Sequence, residues 1–131
     1  MMDPYFFEPE NEGDKDGYTA RFAKRLQGLL PPEEDDSFRL LLSHRPELFP
    51  IYVKCRIDFT FTGHAHGGQF RLPLIGPLYS PAQGVFPKYT SGIYHRDASA
   101  MAVSRGLGNS VFPIRIGNPF ELVCVTFQNG Q

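Results

Sequence analysis

Cysteine is scarce in this chain of 131 residues: there are two, Cys55 and Cys124, in no CxxC pattern. That excludes a disulfide framework and a cysteine-rich zinc site, and both thiols are expected to be buried and reduced. No run of Lys or Arg is present, so no nucleic-acid partner is expected. No long apolar run is present either. The longest uncharged stretch, Leu72 to Pro87, carries four prolines and is too short to span a bilayer. The start, Met-Met-Asp-Pro-Tyr-Phe-Phe-Glu, lacks the basic region and apolar run of a signal peptide, and a cytoplasmic location is expected on that ground.

What the chain does have is glycine and proline, 13 and 12 residues, against a usual combined share of roughly 12%. Long helices throughout are therefore not expected. Hydrophobic residues make up 41% and charged residues 21%, which suits one packed domain or a piece of a larger one. The formal net charge of −1 hides an asymmetry. Residues 1–36 hold ten acids and four bases, whereas residues 37–131 hold nine bases and four acids. A basic second part is compatible with an anionic substrate.

Residues 3–16 are acidic and turn-rich and read as a loop. Tyr18, Phe22, Leu26 and Leu29 or Leu30 fall at helical spacing, with Arg21, Lys24 and Arg25 on another face. Asp14 and Asp16 favour a helix N-terminus and Pro31-Pro32 ends one, so a helix is predicted from about Gly17 to Leu30. Glu33 to Asp36 reads as an exposed connection. Phe38 to Ser43 reads as a buried strand, followed by a brief helical turn after Pro46. Ile57, Phe59 and Phe61 alternate with polar residues, which predicts a strand over 57–62. Residues 70–90 read as loop. Further strands are predicted at 92–95, 98–104 and 121–128.

Three of the four histidines, His44, His64 and His66, lie within 23 residues, each after a predicted strand end. Ligands gather at strand ends in α/β sheets. Gly63, Gly67 and Gly68 remove side chains around the histidines and permit unusual backbone angles. Neutral imidazole is a common ligand for zinc, manganese or iron. A glycine-rich turn with two exposed histidines is the plainer alternative.

Taken together, Ser43-His44-Arg45-Pro46, the strand 57–62 and Gly63-His64-Ala65-His66-Gly67-Gly68-Gln69 resemble the C-terminal half of a calcineurin-like metallophosphoesterase. The bacterial membrane-associated branch carrying Gly-His-x-His-Gly-Gly-Gln is the nearer likeness. Residues 70–76, 92–94 and 103–108, and Asp3-Pro4 ahead of a helix and strand, resemble that branch too, so the likeness covers nearly the whole chain. It implies an α/β fold: the C-terminal half of a four-layer α/β/β/α sandwich, forming one partial domain over 1–131. Residues 1–36 would supply an acidic loop and helix, and 37–131 the strands and histidine motifs. It further implies hydrolysis of phosphate esters, phosphodiesters among them, by a hydroxide that divalent metal activates. His44 and His64 would ligate one metal and His66 the other, with His64 also catalytic. The ions would be Mn, Zn or Fe, two in the complete site, about 3.5–4 Å apart. Members of that branch act on lipid-linked phosphodiesters, so a lipid-linked ester is a candidate substrate.

The family's site also needs an Asp-x-His, a bridging Asp and an Asn-His pair, and this sequence has none of them. The chain is therefore expected to be a truncated, split or mis-started portion, inactive alone, whose N-terminal half acts in trans. Two alternatives stand beside this: a non-enzymatic module holding one transition metal, and a degenerate structural fragment.

Other signals are weaker. Glu12 to Gly17 imitates a calcium loop but lacks its closing acid, since the twelfth position is Ala23. Gly106-Leu107-Gly108 lacks the third glycine of a dinucleotide fingerprint. Arg105 beside it is a candidate for substrate phosphate, with a surface salt bridge as the alternative. His95 reads as a surface residue. The apolar residues of 72–89 suit either a pocket wall or peripheral contact with a membrane.

Overall fold

A computed structural model of the chain describes residues 15–32, 35–109 and 114–128. The expected acidic loop up to Asp14, Asp3-Pro4 and Glu33-Glu34 lie outside the described residues. The first element is the helix α1, Lys15–Leu29. Phe22 and Leu26, four apart, are buried and Tyr18 and Leu30 pack beside them, while Arg21, Lys24 and Arg25 stay exposed. The residue before a proline disfavours helical angles, which ends α1 ahead of Pro31-Pro32.

Strand β1 is Leu40–Leu42. A short 3-10 turn, Pro46–Leu48, leads directly into the helix α2, Phe49–Lys54. Sequence reading expects only a brief turn here. Two prolines, Pro46 and Pro50, mask the pattern, yet a proline in the first turn of a helix costs nothing because its missing N–H has no partner there anyway. Leu48, Phe49, Tyr52 and Cys55 then recur at helical spacing and are all buried.

Strands β2 (Phe59–Thr62), β3 (Arg71–Leu72), β4 (Gly76–Pro77), β5 (Tyr79–Ser80), β6 (Gly84–Val85), β7 (Gly92–Arg96) and β8 (Ser99–Val103) follow. The main sheet has the order β1-β2-β8-β7. Strands β1 and β8 run parallel to β2, and β7 is an antiparallel edge. Pairs β3–β4 and β5–β6 are small hairpins within the stretch expected to be loop.

Register assigns each strand residue to a face. Leu41, Thr60, Met101 and Tyr94 form one row across the sheet. That face meets the helices in a core of Phe22, Leu26, Phe49, Tyr52, Ile57, Met101 and Val103. Leu42, Phe61, Ala102 and Ile93 form a row on the opposite face. There Leu40, Leu42 and Ile93 are each at least half exposed. Phe127 packs edge-on against Phe38, Phe59 and Phe61 on that side.

Two expectations need correction. The strand near residue 40 is not buried: β1 is a sheet edge with helices on one side only, so Leu40 and Leu42 face outward. Residues 121–128 form no strand, although Leu-Val-Cys-Val-Thr-Phe has high strand propensity. Such propensity measures fit to a pleated, half-buried surface beside another strand, and among the described residues none pairs with this segment. Cys124 is consequently exposed, while Cys55 is buried as expected. The α/β class stands. The described residues supply helices and one main, mixed sheet.

Candidate metal centre

Strands β1, β2 and β8 are parallel and end at the same edge of the sheet. Just past those ends stand His44, His64 and Arg105. The rings of His44 and His64 lie 4.6 Å apart between centroids, inclined at 60°. Gly63 lies beside this pair, and a Cβ there would meet the His44 ring at 3.9 Å, an ordinary contact.

The turn carrying His44 is held from beneath by Tyr52. Its hydroxyl donates to the Arg45 carbonyl at 2.6 Å and bonds the Ser43 hydroxyl at 2.7 Å. Tyr52 is wholly buried, and burial pushes its phenol far above the ordinary range. Arg45 reaches Glu47 at 3.4 Å through Nη1. The other Glu47 oxygen is buried and unpartnered. Burial raises the Glu47 carboxyl above its ordinary 4.5, against the pull of its own backbone N–H and of Arg45. A carboxyl that holds its proton longer when folded destabilises the chain once pH rises past the unfolded value. Glu47→Gln is therefore expected to melt a few degrees above wild type at pH 7 and level with it below pH 4.5. Matching melting curves at pH 7 would count against this reading.

The loop carrying His64 and His66 is built from unusual backbone. Five of its six residues from His64 to Gln69 have positive φ, three of them not glycine. Such angles persist only where surrounding structure enforces them. Here Asn118, absent from the sequence reading, does so. Its amide nitrogen donates to the His66 carbonyl at 2.5 Å and lies 3.5 Å from that of Gln69. A Cβ on Gly67 would overlap the Asn118 amide. Arg71 adds a bond from Nη1 to the Gly67 carbonyl at 2.9 Å. A parallel bridge between Phe70 and Ile116 aligns the two segments. No local motif marks Asn118, because its partner is 52 residues away.

All three histidines are held below their ordinary pKa. Burial is the main cause in each. For His64, burial and then neighbouring His44, Arg45 and His66 push it down to about 4. His66 and Arg45 further lower His44, and Arg115 further lowers His66, whose ring bonds the Gly108 carbonyl. All three imidazoles are thus neutral at pH 7 and free to offer a lone pair. The structure brings His44 and His64 together. Among the described residues, however, no group of three or more His, Cys, Asp or Glu is placed to hold one ion. His95 sits on β7, exposed, at the opposite end of the sheet. The Arg105 backbone N–H donates to the Glu121 carboxylate at 2.9 Å, and its Nε lies 3.8 Å from the same group.

The chain is 32% identical over 103 residues to the uncharacterized metallophosphoesterase YkuE of Bacillus subtilis (strain 168). The match takes in 79% of this chain and 35% of that protein. The chain is thus similar, over most of its own length, to curated metallophosphoesterases. Phosphodiesterase YaeI of Escherichia coli (strain K12) is 30% identical over 66% of this chain and 31% of its own length. The uncharacterized metallophosphoesterase YkoQ of Bacillus subtilis is 26% identical over 67% of this chain and 33% of its own. The chain therefore spans about a third of the length of the curated relatives it matches. No family model matches it, and no solved structure does. The donor set fits half of a metal site: adjacent neutral imidazoles are ligand-ready, and among the described residues no carboxylate stands with them. No described helix is long and apolar enough to cross a membrane.

Proposed function

We propose that this chain supplies the histidine side of a divalent-metal centre that hydrolyses phosphate esters, phosphodiesters among them. The observation that carries it is the pairing of His44 and His64 at the common end of three parallel strands. His44 and His64 would hold one ion and His66 a second, with manganese, zinc or iron as candidates. When bound, the metal supplies an acidified water and neutralises phosphate oxygens. His64 would also serve as the catalytic histidine of the reaction. Arg105, at the same strand end, would meet the substrate phosphate.

Two positive ions beside uncharged imidazoles need carboxylates for balance, and these belong to the part of the domain beyond the third spanned here. We infer that the isolated chain is inactive and that an N-terminal half, in cis or in trans, completes it. The apolar sheet face around Leu42, Phe61 and Ile93 supports this, since a second sheet would cover it. Leu74, Ile75, Val85 and Phe86, all strongly exposed near the histidine loop, support a lipid-linked ester and peripheral membrane contact.

The test is metal content per chain after loading with Mn²⁺ or Zn²⁺ and removing the excess. Wild type is expected to retain about one ion per chain or more, because imidazole ligands alone suffice for transition metals. His64→Ala is expected to lose it, and His66→Ala to lose any second ion. Metal that is absent, or indifferent to both changes, sinks the proposal. Adding an N-terminal half should then restore hydrolysis of a generic phosphodiester.

A further inference from the structure

Residues 121–127 join no ladder, yet their path is that of a strand. At one end Glu121 stands past the end of β8. Its backbone N–H donates to the Gly106 carbonyl at 3.2 Å, and its carboxylate accepts from the Arg105 N–H at 2.9 Å. At the other end Phe127 packs against Phe59 and Phe61 of β2, with ring centroids 5.1 and 6.4 Å away, and against Phe38 at 5.3 Å. Phe59 is level with Ala100 of the neighbouring β8. From Ala100 to Arg105 a strand advances about 17 Å, whereas the six steps from Glu121 to Phe127 would advance only about 9 Å as a helix. The segment is therefore extended, antiparallel to β2, over the sheet face away from the helices. Burial alternates as well. Glu121, Val123 and Val125 are half-buried, while Leu122, Cys124 and Thr126 are exposed. That period of two belongs to an extended chain lying on a surface.

The backbone is what lacks a partner. Among the described residues, no backbone–backbone hydrogen bond reaches residues 122–127. Space lies on both flanks, because Leu40 and Leu42 of β1 stay about half exposed on one side and Ile93 of β7 on the other. A row of free N–H and C=O groups on an extended segment is a template for another strand. A second copy of this chain cannot supply that strand. Paired strands lie about 4.8 Å apart, and each copy has its own main sheet beneath its segment. Pairing side by side would drive the two main sheets into each other. The partner must be a strand with no such sheet underneath it.

We infer that residues 121–127 receive an extended strand, apolar at alternate positions, from the part of the protein that covers this face. The incoming strand would lie over Leu40 and Leu42, or over Ile93, and bury them. The curated relatives are about three times the matched length, which is chain enough for such a layer. This rests on the reading that a covering part completes the domain, but not on the metal centre.

The test uses the full chain and a labelled peptide copying residues 121–127, with Cys124→Ser and two lysines added for solubility. The peptide has the required alternation and carries no sheet. Fluorescence anisotropy is expected to give a Kd below about 1 mM. An added strand bonds through every second N–H. Of two peptides N-methylated at alternate residues in opposite phases, one should therefore bind about tenfold more weakly and the other within about threefold of the parent. In the chain, Cys124→Pro and Val125→Pro remove N–H groups from opposite edges and leave the segment extended. One should weaken binding about tenfold, which names the edge, and the other should not. Amide exchange over 122–126 should slow when the peptide is bound.

Absence of binding up to about 1 mM overturns the inference. So does equal affinity of the two N-methylated peptides, or wild-type affinity in both proline variants. Protection confined to β1 or β7 would put the peptide on the edge of the main sheet, and the inference fails. If a proline variant does not fold, the N-methylated peptides decide on the wild-type chain. No step needs metal or turnover. Pairing in a chain that takes up no metal upholds this inference and sinks the metal centre, while metal uptake without pairing sinks this inference alone.

Discussion

Replacing Gly68 by alanine is expected to lower the unfolding free energy of this chain by about 2–4 kcal/mol, through backbone strain and overpacking together. Gly68 has φ +77, where a side chain is strained whatever the space around it. The space is also missing. A Cβ would run into the Pro77 ring, with Pro77 Cα at 3.2 Å and Thr90 Cγ2 at 3.4 Å. A proline ring cannot swing aside as a long flexible side chain can. Since β4 carries Pro77 and pairs with β3, relief would have to come from the hairpin or from the histidine loop. The loop is the weaker party, because five of its six residues already sit at positive φ. The variant is therefore expected to lose metal as well as stability. Urea unfolding with an unchanged midpoint would show that the loop is not packed as described.

Tyr52→Phe should cost about 1–3 kcal/mol, the range for stranding a buried hydrogen-bonding group. The substitution keeps the ring, and with it the contacts to Phe22 and the core. What goes is the hydroxyl that ties the Ser43 side chain to the Arg45 carbonyl across His44. Both partners lie in the part-buried turn, so neither finds water easily. The expected signature is a lower urea midpoint at unchanged m-value, with weaker metal retention at the His44 position. A variant as stable as wild type would mean that the turn holds its shape without Tyr52.

The parts of the fold that were legible from sequence were those with a strong local period. Tyr18, Phe22 and Leu26 set α1, and alternation from Ile57 to Phe61 set β2. The histidines were legible because glycines crowd them and strands precede them. Their family resemblance agreed with the relatives the chain matches. What stayed hidden depended on distant partners. Residues 121–128 have the composition of a strand and, among the described residues, no strand to pair with. Helix α2 was concealed by prolines that its first turn tolerates. Asn118 and Arg115 act on His66 and Gly108 through contacts that no spacing rule connects.

The sheet face bearing Leu42, Phe61 and Ile93 has a consequence for the chain inside a cell. Phe127 covers part of it, but Leu40, Leu42 and Ile93 stay about half exposed, and exposed apolar strand surface is what chaperones hold and proteases clear, and it favours aggregation at ordinary concentrations. Wherever that face stays exposed, the chain would have a short lifetime, whatever its rate of synthesis.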